Sequence, residues 1–247
     1  MLRIENFSKS YMRDKSTYAV QALSIEVHTG DIYGFIGHNG AGKTTTLRAI
    51  AGILPFDGGD IYIDNLSIRE QPIECKRRIA YVPDNPELYP SLTGEQYLDF
   101  IANIFQVSLE QRKQRVGRYA QMLEIDGNLS TQISAYSRGM KQKLAIVSAL
   151  LHDPKLLVFD EPFVGLDPKA IFTFRGMMNE LCEQGHAILF STHVLEVAQK
   201  LCNRVGILSH GHLVAQGDMD EVVGQHSLED VFLELSENAA ITDTDTI

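Results

Sequence analysis

Residues Asp31–Gly52, DIYGFIGHNGAGKTTTLRAIAG, decide the fold. Ile32–Ile36 reads as a buried strand, Gly37-His38-Asn39-Gly40-Ala41-Gly42-Lys43-Thr44-Thr45 as a glycine-rich loop, and the remainder as an amphipathic helix. That is the strand–loop–helix context which the phosphate-loop pattern G-x-x-x-x-G-K-[ST] requires. Glycines let backbone N–H groups converge on phosphate oxygens, Lys43 adds a compact cation at the β and γ oxygens, and the Thr44 hydroxyl is a ligand for Mg²⁺.

Outward from this loop, apolar runs of strand length recur at Ile79–Val82, Leu156–Phe159, Ala187–Ser191 and Val205–Leu208, with helical patterns between them. Such alternation predicts an α/β fold with parallel strands joined by helical crossovers. Shorter alternating pieces, Leu2–Phe7, Leu23–Val27, Asp60–Ile63 and His212–Ala215, predict a smaller antiparallel sheet. From about Pro86 to Asp153 the pattern is helical and predicts a lobe inserted into the core. The expected division is a core at about 1–85 and 154–219, the lobe at about 86–153, C-terminal helices at about 219–235 and an acidic, disordered tail at 236–247.

With 247 residues and 44% hydrophobic content the chain can bury a full core. A net charge of −10 opposes a phosphate-neutralising surface, so nucleic acid is not an expected partner. The three cysteines, Cys75, Cys182 and Cys202, lack paired spacing and read as reduced structural thiols rather than a disulfide framework or zinc site. The start shows no signal-peptide pattern, and no stretch approaches the ~18 apolar residues of a membrane span.

Three further stretches carry chemistry. KLLVFDEP ends an apolar run in Asp160-Glu161, where one carboxylate suits Mg²⁺ and the next, Glu161, suits a general base for water. AILFSTH places His193 at a strand end, where open α/β sheets hold their ligands, within reach of a γ-phosphate. In ISAYSRGMKQKLAIV a helix begins at Ser137-Arg138-Gly139, although a glycine just inside a helix costs ~0.5–1 kcal/mol. A serine cap and uncovered backbone make that helix start a candidate anion site.

In this order, GHNGAGKTT, YSRGM, LLVFDEP, VGLD and STH resemble the ATP-binding subunits of ABC transporters over residues 1 to about 235, a phosphate-loop NTPase fold with a RecA-like core. YVPD, LTGEQYL, GMKQKL and LEDVFLEL are most similar to the ABC-2 export class, including Ecs-type subunits. The resemblance implies an ATPase using ATP and Mg²⁺ at the cytoplasmic face of the cell membrane, with separate transmembrane permease subunits. It also implies a head-to-tail dimer, in which Ser137 and Gly139 of one copy cover the ATP held by the other. Asp167 matches the D-loop residue that crosses this interface, Tyr11 the aromatic that stacks on adenine, and Asn85–Tyr97 the surface that meets the membrane subunit.

Two departures from the family pattern matter. Arg138 replaces the first glycine of Leu-Ser-Gly-Gly-Gln, and Asp84 stands where the Q-loop has glutamine. Asp84 can still ligate Mg²⁺, while Asn85 offers the amide that an ionised Asp84 lacks. The rival readings are a soluble ABC ATPase of the cluster-assembly type and a regulatory nucleotide-binding module without turnover. The intact Lys43, Asp160, Glu161 and His193 oppose the second of these.

Overall fold

The computed structural model describes residues 1–12 and 14–235; the tail expected to be disordered lies outside them. The chain forms β1 (Leu2–Lys9), β2 (Val20–Val27), β3 (Ile32–Gly37), α1 (Lys43–Ile50), β4 (Gly58–Ile63), β5 (Leu66–Ser67), α2 (Pro72–Arg78) and β6 (Ile79–Val82). Three longer helices follow, α3 (Gly94–Ile104), α4 (Leu109–Met122) and α5 (Arg138–Leu150). The second half alternates through β7 (Leu156–Asp160), α6 (Pro168–Glu183), β8 (Ala187–Thr192), α7 (Leu195–Leu201), β9 (Arg204–Ser209), β10 (His212–Asp218) and α8 (Met219–Val223), with a last helical stretch at 228–235.

The five apolar runs make the parallel part of a six-stranded sheet in the order β10-β9-β3-β8-β7-β6. Both faces are covered, and successive residues serve opposite faces because the side-chain period of a strand is two. Ile32, Ile36, Leu157, Phe159, Ile188 and Phe190 enter one core together with Leu144 of α5 and Phe174 of α6. Tyr33, Phe35, Val158 and Leu189 enter the other, with Leu47 of α1 and Ile4, Ile25 and Ile61 from the antiparallel sheet β2-β1-β4-β5. Truncating a fully buried ring such as Phe159 to alanine costs about 3–5 kcal/mol. This three-layer burial holds the strand ends, where the site sits, in fixed register.

One strand is not where its pattern placed it. His212–Ala215 belongs to β10, which pairs antiparallel with β9 at the edge of the main sheet rather than with the small sheet. The cause is local: His210 (φ +46°) and Gly211 (φ +82°) make the two-residue turn with two positive φ angles that a tight hairpin favours. Turn chemistry, not strand patterning, chose the partner.

In the helical segment, Thr93 and Ser108 open α3 and α4 with capping boxes, each hydroxyl accepting from the N–H of a glutamine three residues on, Gln96 and Gln111. The segment is tied to the sheet by a polar contact at its base. His152 Nε2 lies 3.0 Å from the Ile79 carbonyl of β6, and within the segment Arg115 Nη1 donates to the Leu151 carbonyl at 2.6 Å, joining α4 to the end of α5.

Candidate nucleotide site

The loop after β3 takes its shape from glycine. Gly42 has φ +108°, and a Cβ there would stand 2.6 Å from the Ala19 carbonyl oxygen; a Cβ at Gly37 would stand 2.4 Å from that of Leu208. Lys43 is 7% exposed, and its Nζ donates to the carbonyls of Gly37 (2.6 Å) and His38 (3.1 Å). Burial pulls the Lys43 ammonium below the usual lysine value, while the nearby Glu161 and Asp160 carboxylates oppose that fall. His38 contributes its carbonyl; its ring turns to His210, with centroids 4.7 Å apart. Ala41 is buried, and its carbonyl accepts the Gly211 N–H at 3.0 Å.

In front of the loop lies a cleft of about 360 Å³ lined by Tyr11, Ala19, Asn39, Gly40, Gly42, Lys43, Thr44, Thr45, Asp84, Asp160 and Glu161. Its polar half is the phosphate loop facing three carboxylates. At its outer edge Tyr11 is 65% exposed, and its hydroxyl lies 3.2 Å from that of Thr45. The ring therefore offers a face for stacking at the mouth of the cleft.

The carboxylates are held by a residue the sequence reading did not single out. Ser191, fully buried in β8, donates its hydroxyl to Asp160 Oδ1 at 2.5 Å and accepts the Glu161 N–H at 3.1 Å. Its carbonyl also faces the Glu161 N–H, at 3.2 Å. Glu161 sits at φ +49°, a left-handed conformation that costs a non-glycine residue about 1–2 kcal/mol. His193 Nδ1 lies 2.9 Å from Glu161 Oε1, so the histidine joins the cleft through Glu161. A carboxylate oriented by an imidazole at the edge of a water-accessible cleft has the geometry of a general base.

Ser137, Gly139 and Asp167 lie outside the cleft lining. Ser137 caps α5, its hydroxyl accepting the Met140 N–H at 3.2 Å. The glycine at the helix start answers to a neighbour in the same chain, because a Cβ on Gly139 would stand 2.5 Å from the Gly165 carbonyl oxygen. Asp167 caps α6 by accepting the Ala170 N–H at 2.8 Å and pairs with Lys143 at 3.2 Å; the Ala170 bond first and Lys143 second hold its carboxyl below the usual range.

The two departures from the family pattern are partners. Arg138 Nη2 donates to Asp84 Oδ1 at 2.8 Å, across 54 positions of sequence. Asp84 lies in the cleft lining, whereas Asn85 is exposed and outside it.

The donor set suits Mg²⁺. Among the described residues no three His, Cys, Asp or Glu side chains gather into a metal cluster. Mg²⁺ in nucleotide sites needs no such cluster, since one or two carboxylates or hydroxyls and the phosphates hold it. Thr44, Asp160 and Asp84 supply hard oxygens at one cleft.

The model of the family described as ABC transporter matches residues 20–164. An uncharacterized ABC transporter ATP-binding protein of Synechocystis sp. is 31% identical over 95% of this chain, which spans 66% of that relative's length. The ABC-type transporter ATP-binding protein EcsA of Bacillus subtilis is 33% identical, over 97% of this chain and 98% of its own. Among solved structures, an ATP binding subunit of an ABC transporter superposes with a TM-score of 0.90 at 34% identity, covering 96% of this chain and 99% of that one. A dimeric ATP-binding cassette in a post-hydrolysis state, bound to ADP and Pi, superposes with a TM-score of 0.81 at 25% identity, over 89% of this chain and 99% of that one. Agreement of this extent, in sequence and in fold, makes the chain a member of the ABC transporter family: an ATP-binding subunit, and an ATPase.

Proposed function

We propose that two copies of this chain pack head to tail around two ATP molecules and drive export through separate transmembrane subunits, at the cytoplasmic face of the cell membrane. The observation that carries the reading is the split of the site. The phosphate loop, Asp160 and Glu161 share one cleft, while Ser137, exposed at the start of α5, stands outside it. A second copy turned end to end brings that serine and the N–H groups behind it to the open side of the cleft. The dimeric neighbour with ADP and Pi supports the pairing.

In this reading Lys43 and the loop amides hold the β and γ phosphates, Tyr11 stacks on the base, and Thr44, Asp160 and Asp84 hold Mg²⁺. The metal, when bound, neutralises charge on the phosphate oxygens. Glu161, oriented by His193, takes the proton of the attacking water, and Asp167 crosses between copies. The core at 1–85 and 154–219 binds nucleotide, and the lobe at 86–153 carries the motion outward. No helix among the described residues is long and apolar enough to cross a membrane, so the crossing is assigned to other subunits.

Within Asn85–Tyr97, the segment assigned to meet them, Tyr89 is exposed and lies edge-on to Phe100 of α3, 5.6 Å between centroids. Leu88 and Leu92 instead pack partly buried against the core, which leaves Tyr89 and Phe100 as the apolar contact.

Light scattering on the Glu161→Gln variant with saturating ATP and Mg²⁺ tests the pairing. A dimer that Ser137→Arg abolishes supports it. A monomeric Glu161→Gln that stays monomeric with its membrane subunit overturns it.

A further inference from the structure

The cleft that must accept the polyanionic triphosphate is lined by three carboxylates, Asp84, Asp160 and Glu161, against one ammonium, Lys43. Asp160 is tied to Ser191, and Glu161 lies against His193. Asp84 is met from another element altogether. Arg138, the first residue of α5, reaches back and donates to it at 2.8 Å. The two side chains are about half exposed, 52% for Arg138 and 48% for Asp84, so the pair adds little to folding stability. The arginine stem also lies against Gly165, where a Cβ would come within 3.3 Å of Arg138 Cγ. That contact places the guanidinium on a defined path from the helix start to the cleft.

We propose that Arg138 is a positioning residue for this chain's own nucleotide site: by neutralising Asp84, it lets a cleft rich in carboxylates accept ATP. The inference rests on the cleft being the ATP site and does not require the head-to-tail dimer. An unpaired carboxylate beside the phosphates repels them through a medium less screening than bulk water. A carboxylate paired with a guanidinium presents almost no net charge. Arg138 starts the helix that carries Ser137, so the charge of the cleft depends on where that helix stands. Nucleotide affinity and the position of α5 are thereby linked within one chain, and the linkage is reciprocal: whatever moves α5 away from Asp84 weakens ATP binding, and ATP favours the paired position.

The test is a double-mutant cycle on ATP affinity, measured by titration with a fluorescent ATP analogue on monomeric protein at low salt. Arg138→Gln should weaken binding about 5–10-fold, and Arg138→Lys, which keeps the charge, should recover most of it. In an Asp84→Asn background, Arg138→Gln should change affinity less than about twofold. The loss should be larger in EDTA than with Mg²⁺, because the metal screens Asp84, and it should shrink at high salt. A merely structural arginine would show neither dependence. An equal loss in both backgrounds, or no loss in either, overturns the inference while leaving the site assignment intact. A wild-type chain that does not bind the analogue overturns the site assignment and this inference with it. Both side chains are at the surface, and unchanged thermal melting of each variant confirms that the cycle compares folded proteins.

Discussion

His193 Nδ1 stands 2.9 Å from Oε1 of Glu161, one residue beyond the end of β8 and one beyond the end of β7. Parallel pairing sets the two strand ends side by side: Asp160 lies opposite Ser191, and Glu161, one residue past Asp160, is met by His193, two residues past Ser191. Glu161→Gln should lower ATP turnover by about 10²–10⁴-fold while leaving ATP bound. His193→Ala should lower it about 10–100-fold, because the carboxylate remains but loses its orienting partner. Steady-state phosphate release, with nucleotide affinity measured alongside, checks both; a wild type no faster than Glu161→Gln excludes Glu161 as the base.

The buried Lys43 gives the site an alkaline limit. Burial lowers its affinity for a proton, and Glu161 is the stronger of the two carboxylates opposing that fall. Phosphate binding needs the ammonium, so ATP affinity should hold through neutral pH and decline as pH rises, before the ~10.4 at which a free lysine titrates. Glu161→Gln removes support for the charged form and should shift the decline to lower pH. Titrations of both proteins from neutral pH to about 10.5 decide the point, and coincident curves would remove the coupling.

Gly139 tolerates no side chain where it stands. A Cβ placed 2.5 Å from the Gly165 carbonyl forces α5 and the loop before α6 apart. Gly139→Ala should therefore cost about 1–3 kcal/mol despite its better helix propensity, seen as a fall of several degrees in Tm. A rise in Tm would show that the contact is loose.

The three thiols should be silent in the folded protein. Cys75, Cys182 and Cys202 are buried, and burial raises each thiol, Cys182 to about 12. The reactive thiolate is therefore scarce at about pH 8. Ellman's reagent at that pH should report no fast-reacting thiol in the native chain and three after denaturation.

Much of this was legible because the informative patterns are local. The phosphate loop declares itself in nine consecutive residues, Gly37 to Thr45, and the two-sided burial of β3, β7 and β8 shows as unbroken apolar runs. What escaped depends on contacts between distant segments. Ser191 looks like one more small strand residue until β8 is laid beside β7, and only then does its hydroxyl fall between Asp160 and Glu161. Arg138 and Asp84 each read as a lone exception; neither neighbourhood announces the other. Gly139 posed a question about helix starts whose answer in this structure, the Gly165 carbonyl, lies 26 positions further along. β10 was misplaced because its alternation is common to both sheets, and only the His210-Gly211 turn distinguishes them.

The tip of that turn has a wider reach. Gly211 donates its N–H to Ala41 in the phosphate loop and accepts the N–H of Gln21 in β2, so one glycine pins the nucleotide loop, the edge of the main sheet and the antiparallel sheet at a single point. Its φ of +82°, with a Cβ position only 2.9 Å from the Ala19 carbonyl oxygen, leaves no room for another residue. The phosphate loop is thus not an independent flap but part of the same cooperative unit as the strands behind it. In hydrogen-exchange terms, the amides of Gln21 and Gly211 should be among the slowly exchanging ones, and a loop held this way stays preorganised between one nucleotide and the next.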